Sequence, residues 1–247
     1  MIKFFRKIRQ HLLSEGKTGK YFKYAIGEIV LVVIGILIAL QINNWNVQNK
    51  QREIEIKVLK EMQVAIKSDL KSFDKNIKDY KKVRRSLKII KEQLEIEMPT
   101  NDSLAYAFTN SLYNNRMEPN LGAYETLKNK GIDLISNDSI RLKIIDVYEV
   151  SYKYYQDLIK TDLLPESFIQ EYCATLFNNL DYYSSKEYDE PTMVPNNYKA
   201  LQKDTLYKTI INTRISQVRR TLNYLEYNYQ EVKELNEIIK TELKSFK

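Results

Sequence analysis

Nucleophilic, acid–base and metal chemistry each need particular side chains, and this chain holds few of them. His11 is its one histidine and Cys173 its one cysteine. His11 precedes an apolar run at 29–40, so everything beyond that run lacks histidine. Ser-His-Asp and Cys-His nucleophile systems are therefore excluded there. A di-iron bundle needs Glu-x-x-His pairs, and none exists. One cysteine without histidine makes a zinc site improbable. Gly16-Lys17-Thr18 has the closing residues of a phosphate loop, but His11 stands where its first glycine is required, and the match reads as chance. Acid pairs such as Glu166/Glu171 are the residue types of glycosidases. On charged helices such pairs are inevitable and read as solvated faces. Cys173 has no partner for an intramolecular disulfide. It is expected to be buried in a helix interface, with a link between two copies as the alternative. These residues imply no metal, no cofactor and no enzyme.

The elements that position them are more legible. Ile29–Leu40 is unbroken and apolar, and with its flanks the segment 24–45 has about 20 residues, the length of a bilayer-crossing helix. Lys3, Arg6, Lys7, Arg9, Lys17, Lys20 and Lys23 precede it against the single acid Glu15. Lys50, Arg52, Lys57 and Lys60 follow. This asymmetry places the N-terminus in the cytoplasm and exports the rest. Tyr21, Phe22 and Tyr24 at one end and Trp45 at the other suit the two headgroup belts. No small-x-small cleavage pattern follows Leu40, so the segment reads as an uncleaved anchor of the inner membrane with a periplasmic domain behind it. Residues 1–23 also space Ile2, Phe4, Phe5, Ile8, Leu12 and Leu13 among bases. They are either a basic amphipathic helix on an anionic leaflet or a flank that sets topology. Within the span, Glu28, Gly35, Ala39 and Asn43 fall near one face. Gly35-x-x-x-Ala39 permits close helix approach, and an ionisable residue in a span is a functional candidate. That stripe is a candidate contact for a second copy or a partner helix.

The net charge of +7 suggests a nucleic-acid binder, but its distribution does not. Residues 1–45 carry 7 bases and 2 acids, leaving 32 bases and 30 acids for the remainder, a net of +2. No nucleic-acid partner is expected. The partners expected are the lipid bilayer and a second copy or another envelope protein.

Residues 46–247 read as one all-α domain, an elongated antiparallel bundle. Over 46–97, Leu59, Ile66, Phe73, Tyr80, Leu87 and Leu94 recur every seven residues, with Met62, Leu70, Ile77, Val83 and Ile90 between them. Over 205–246, Ile211, Val218, Leu225, Val232, Ile239 and Phe246 do the same, with Ile215, Leu222, Tyr229, Leu235 and Leu243 between. Each pattern predicts a long helix with one coiled-coil-like stripe. The two stripes bury each other if the helices pack antiparallel. Nothing between Trp45 and Leu59 breaks a helix, and Pro99 ends the first. Asp204 is the expected N-cap of the second. Shorter helices are expected at Ser103–Asn114, from Asn120 to Gly131, from Asn137 or Asp138 to about Leu164, and from Pro165 to about Leu180. Residues 181–200 are the one long loop. Nineteen tyrosines are many. Tyr148, Tyr152, Tyr154 and Tyr155 share one helix. Tyr182, Tyr183, Tyr188 and Tyr198 lie in or beside the long loop and are the candidate partner-binding residues, because tyrosine is enriched at interfaces.

Residues 1–46 resemble the opening of an uncharacterised family of small membrane proteins common in Bacteroidota. The likeness lies in the Phe-Arg-Lys-Ile-Arg start, Tyr24-Ala25-Ile26-Gly27-Glu28 and Gln41-Ile42-Asn43-Asn44-Trp45. Ala123-Tyr124-Glu125-Thr126-Leu127, with Gly131 and Leu134-Ile135, is similar more weakly. The resemblance implies a single-span envelope protein and brings no activity and no catalytic residues. The role expected is a membrane scaffold or interaction subunit, with a helical-bundle sensor as the alternative.

Overall fold

A computed structural model describes residues 18–160, 165–178 and 193–246. Helix α1 spans Thr18–Glu95. Then follow α2 (Asp102–Ser111), α3 (Gly122–Lys130), a 3-10 turn (Ile132–Leu134) and α4 (Asp138–Ile145). A π turn (Asp146–Ser151) leads into α5 (Tyr152–Lys160). The last elements are α6 (Glu166–Leu176), α7 (Tyr198–Leu201) and α8 (Thr205–Ser245). No strand occurs among the described residues, and one isolated bridge joins Phe177 to Pro195. The all-α reading holds.

The chain divides into two compact units, Met1–Glu55 and Ile56–Lys247. In the first unit, every side chain from Ile29 to Leu40 is exposed. Over an 18-residue stretch of α1 the mean hydropathy reaches 2.6, so this helix is long and apolar enough to cross a membrane. A helix apolar all round and covered by nothing fits a lipid solvent.

The second unit is a bundle whose core follows the seven-residue repeat. Leu59, Ile66, Phe73, Tyr80, Leu87 and Leu94 are all buried on α1, as are Ile211, Val218, Leu225, Val232 and Ile239 on α8. The two helices run antiparallel. Lys81 pairs with Glu226 at 2.7 Å, and beyond the end of α1 the Met98 carbonyl accepts from Gln202 at 2.9 Å, just ahead of α8. α4 and α5 also run against α8, tied by Asn137 to Glu242, Lys143 to Glu231, and Tyr154 tilted against Tyr224.

The positions between the repeats differ from expectation in an instructive way. Of the expected fillers, Met62, Val83, Ile90, Leu222 and Leu235 are buried, whereas Leu70, Ile77, Ile215, Tyr229 and Leu243 are half-buried. For the first four of these the buried position is one residue earlier: Asp69, Asn76, Arg214 and Asn228. On α1 the seam keeps a strict spacing, three residues after each repeat from Leu59 to Leu87, and accepts polar side chains there; on α8 Arg214, Asn228 and Leu235 follow it, but after Val218 the buried position is Leu222, four residues on. Polar residues inside a seam fix register at some cost in stability.

Most helix ends are those their residues dictate. Asp204 accepts from the Tyr207 amide at 2.8 Å, and Asn137 accepts from Ser139 and Ile140. Asn101 caps α2 through the Leu104 amide, so the helix starts at Asp102, one residue ahead of the expected Ser103, and it stops at Ser111 rather than Asn114. Gly131 closes α3 at φ 98°, a conformation that costs a side-chain-bearing residue. α1 ends at Glu95, before Pro99, with Glu97 at φ 50°. α6 ends at Leu176, short of Leu180, because Phe177 leaves the helix to bridge Pro195. Asn120 does not cap α3 in the expected way. Its amide donates to Asp69 at 3.0 Å, while its side chain accepts from Gly122 at 3.3 Å. Cys173 is buried and free, and burial pushes its thiol up to about 12.

Candidate functional site

The π turn organises a region where buried polar groups and an exposed groove meet. Its extra residue per turn comes with no Pro or Gly, and such turns often mark functional positions. Inward from it, Tyr148 and Tyr152 enter the core. The Tyr152 hydroxyl donates to Asp69 Oδ2 at 2.9 Å, and the Asn120 amide donates to Asp69 Oδ1 at 3.0 Å. Asp69 is 2% exposed. Burial raises its carboxyl above the ordinary value, and the two hydrogen bonds offset this only in part. Tyr148 stacks on Tyr124 with ring centroids 4.5 Å apart and meets Tyr152 edge-on at 5.2 Å. The Tyr124 hydroxyl donates to Glu149 at 2.8 Å, and Lys128 donates to the same oxygen at 3.0 Å. Burial raises all three phenols, so they stay neutral; the Tyr148 hydroxyl is buried without a hydrogen-bond partner among the described residues.

Outward from the π turn lies a groove of about 490 Å³ between α5 and α8. Val150, Tyr154 and Tyr227 form its exposed apolar walls, with Tyr154 at 58% and Tyr227 at 54% exposure. Tyr154 and Tyr224 meet at 5.1 Å and a 53° tilt. Ser151, Asn223 and Asn228 supply polar atoms. Asn228 is buried and donates to the Tyr224 carbonyl at 2.9 Å, while its Oδ1 has no donor. The groove is amphipathic and aromatic, the composition of a recognition surface.

A second polar centre lies around Arg214, which is 4% exposed. It donates to the Ser111 and Tyr113 carbonyls at 3.3 and 3.1 Å and pairs with Glu166 at 3.6 Å. Asn114 donates to the same Glu166 oxygen at 2.9 Å and accepts from the Tyr80 hydroxyl at 2.9 Å. Glu166 is therefore half-buried in a network, not a solvated residue, whereas Glu171 is exposed as expected.

The residues singled out from sequence are placed as follows. Gly35, Ala39 and Asn43 are exposed on α1, Glu28 is half-buried, and a Cβ added at Gly35 meets nothing within 4 Å. Phe22 and Trp45 are exposed. Tyr21 and Tyr24 lie in α1, and their side chains are outside the description. Tyr182, Tyr183 and Tyr188 lie outside the described residues. Tyr198 opens α7 and packs half-buried against the core. Among the described residues no three His, Cys, Asp or Glu side chains gather to hold a metal ion. Sequence reasoning missed Asp69, Arg214 and the Tyr154/Tyr224/Tyr227 groove. For the first two a signal was present: a charged residue three positions after one stripe residue and four before the next.

Comparison with curated proteins and with solved structures yields no match. The model of a family of unknown function, DUF6090, matches residues 28–190, which is 163 of 247 positions. That match takes in α1 from Glu28, Asp69, the π turn and α6, and ends before Tyr224 and Tyr227. With about two thirds of its length matched, the chain belongs to DUF6090, a family of unknown function.

Proposed function

We propose that this chain is a non-enzymatic interaction subunit of a cell-envelope complex. It is anchored in the inner membrane by residues 24–45, with the N-terminus in the cytoplasm and residues 46–247 in the periplasm. The basic flank before the span and the exposed apolar surface of Ile29–Leu40 support the anchoring. The observation that carries the role is the groove of Val150, Tyr154 and Tyr227. Exposed aromatic side chains over a rigid helical frame are what a protein partner buries at little entropic cost.

The test is copurification from native membranes. Tyr154→Ala with Tyr227→Ala removes two exposed rings without opening the core. The recovered partner is expected to fall about tenfold or more, at unchanged helical signal. Full recovery with the double variant would sink the role given to the groove. A periplasm-only reporter fused after Lys247 is expected to be active, and a silent one overturns the topology.

A sensor is the second reading, favoured by the buried Asn228 oxygen that lacks a donor beside the aromatic walls. A small N–H or O–H ligand with a ring would satisfy it. A thermal shift by such a ligand in the partner-free protein, abolished by Asn228→Leu, which removes the accepting oxygen, would favour sensing over scaffolding.

A further inference from the structure

The even charge balance of the second unit conceals one strongly uneven stretch. Residues 80–91 hold six bases and no acid. Lys81, Arg84, Arg85, Lys88 and Lys91 are spaced by three and four, so they share one face of α1. They line an open groove of about 700 Å³ whose apolar floor includes Ile215 of α8, with Glu92 and Glu95 at its far end. Like charges at this spacing destabilise a helix by a few tenths of a kcal/mol per pair. The row therefore has no benefit for the fold by itself.

Its own acids satisfy it poorly. Lys81 is matched by Glu226 at 2.7 Å. Lys88 and Lys91 reach Glu92 and Glu95 only at 3.6 and 3.8 Å, on exposed side chains. Arg84 and Arg85 are exposed and form no ion pair among the described residues. Two neighbouring guanidinium forks are suited to carboxylates held in a fixed geometry.

We propose that this groove docks an acidic amphipathic helix from a protein partner. Its carboxylates would meet Arg84, Arg85 and Lys88, and its apolar edge would lie on Ile215. The proposal rests on the reading of the chain as an interaction subunit but uses a different face from the tyrosine groove. Three observations select this occupant. The lining from Lys81 to Glu95 extends about 21 Å along α1, roughly four helical turns, which is longer than a compact anion needs. The charge is bipolar, five bases followed by Glu92 and Glu95. A uniform polyanion is repelled at that end, whereas a peptide carrying acids and then a base is matched. The groove also has no aromatic platform of the kind that single-stranded nucleic acid stacks on. Glu226 already shows the mode, since it is a helix-borne carboxylate seated on Lys81.

The test uses the full chain in neutral-lipid nanodiscs. The probe is a fluorescent 14-residue helical peptide with glutamates along one edge, leucines beside them and a lysine at one end. Saturable binding that weakens with added salt is expected. Arg84→Glu with Arg85→Glu should weaken it at least tenfold, while Arg84→Lys with Arg85→Lys, which keeps the charge but loses the forks, should weaken it by a smaller factor. The Tyr154→Ala/Tyr227→Ala variant should bind the peptide as the unaltered protein does. That result separates failure of this proposal from failure of the tyrosine groove. Absence of saturable peptide binding overturns the proposal. So does tighter binding of oligothymidylate or of phosphatidylglycerol vesicles that the charge-reversing variant abolishes.

Discussion

Asp69 on α1 and Arg214 on α8 occupy equivalent places in two antiparallel helices and carry opposite charges. Each stands three residues after one buried stripe residue and four before the next, Ile66 and Phe73 in one case, Ile211 and Val218 in the other. Their surroundings differ. The two oxygens of Asp69 accept from neutral donors, the Tyr152 hydroxyl and the Asn120 amide. Arg214 donates to two carbonyls and meets a carboxylate, Glu166. Both reach the same segment. Residues 112–121 have no regular structure, and their backbone polar groups need partners away from water. Arg214 ties its start, Asp69 ties its end, and Tyr80 takes the Asn115 carbonyl at 3.1 Å between them. The buried charges of the seam therefore serve an irregular strap, not each other. The anion can shed its charge by taking a proton, whereas the guanidinium cannot.

That difference ranks the substitutions. Arg214→Leu should have the largest effect. It strands the Ser111 and Tyr113 carbonyls and removes the cation beside Glu166. Removing one member of a buried charged set typically costs about 3–5 kcal/mol. The partial exposure of Glu166 places the expected loss near the lower end. Denaturant unfolding of the full chain in detergent, followed by helical signal, reads it. A loss under about 1 kcal/mol would show that the strap is held elsewhere.

Tyr152→Phe comes next. It keeps the ring that contacts Phe73 and Tyr148 and deletes only the hydroxyl that donates to Asp69. A buried carboxylate left short of one donor costs about 2 kcal/mol. The Tyr155 hydroxyl contacts the Met117 amide at 3.5 Å, a longer bond to a neutral group, so Tyr155→Phe should cost less. Equal losses from the two would mean that Asp69 carries no charge worth satisfying.

How far these places could be read from residues alone follows from the range of each interaction. The stripes and the caps at Asp204, Asn137 and Gly131 rest on neighbours within one turn, and they were legible. The tie between Asp69 and Tyr152 spans 83 positions, and no local pattern announces it. The π turn contains neither Pro nor Gly, so no residue type marks it. Choosing the most apolar filler shifted the seam to Leu70, Ile77, Ile215 and Tyr229, since apolarity was taken as the test of burial. Strict spacing would have selected Asp69, Asn76, Arg214 and Asn228 instead. The row from Lys81 to Lys91 escaped because charge was summed over a whole domain, where distant acids cancelled it.

The smallest effect is a change in pH dependence, and it tests whether Asp69 sheds its charge. Burial raises its carboxyl above the unfolded value of 3.8. The folded state therefore holds the proton more tightly than the unfolded chain does. Stability from this group is fully present below the unfolded value and is lost as pH climbs toward the raised one. Asp69→Asn does not titrate and keeps an oxygen for the Asn120 amide, while its NH2 group faces the Tyr152 oxygen, which can accept. At pH 4 the variant should be somewhat less stable than the unaltered protein, and by pH 7 the gap should narrow or reverse. Melting temperatures of both proteins between those values show it. A gap that widens with pH would mean that the Tyr152 and Asn120 hydrogen bonds outweigh burial. Asp69 would then be held as an anion, and the contrast with Arg214 would reduce to the sign of the charge.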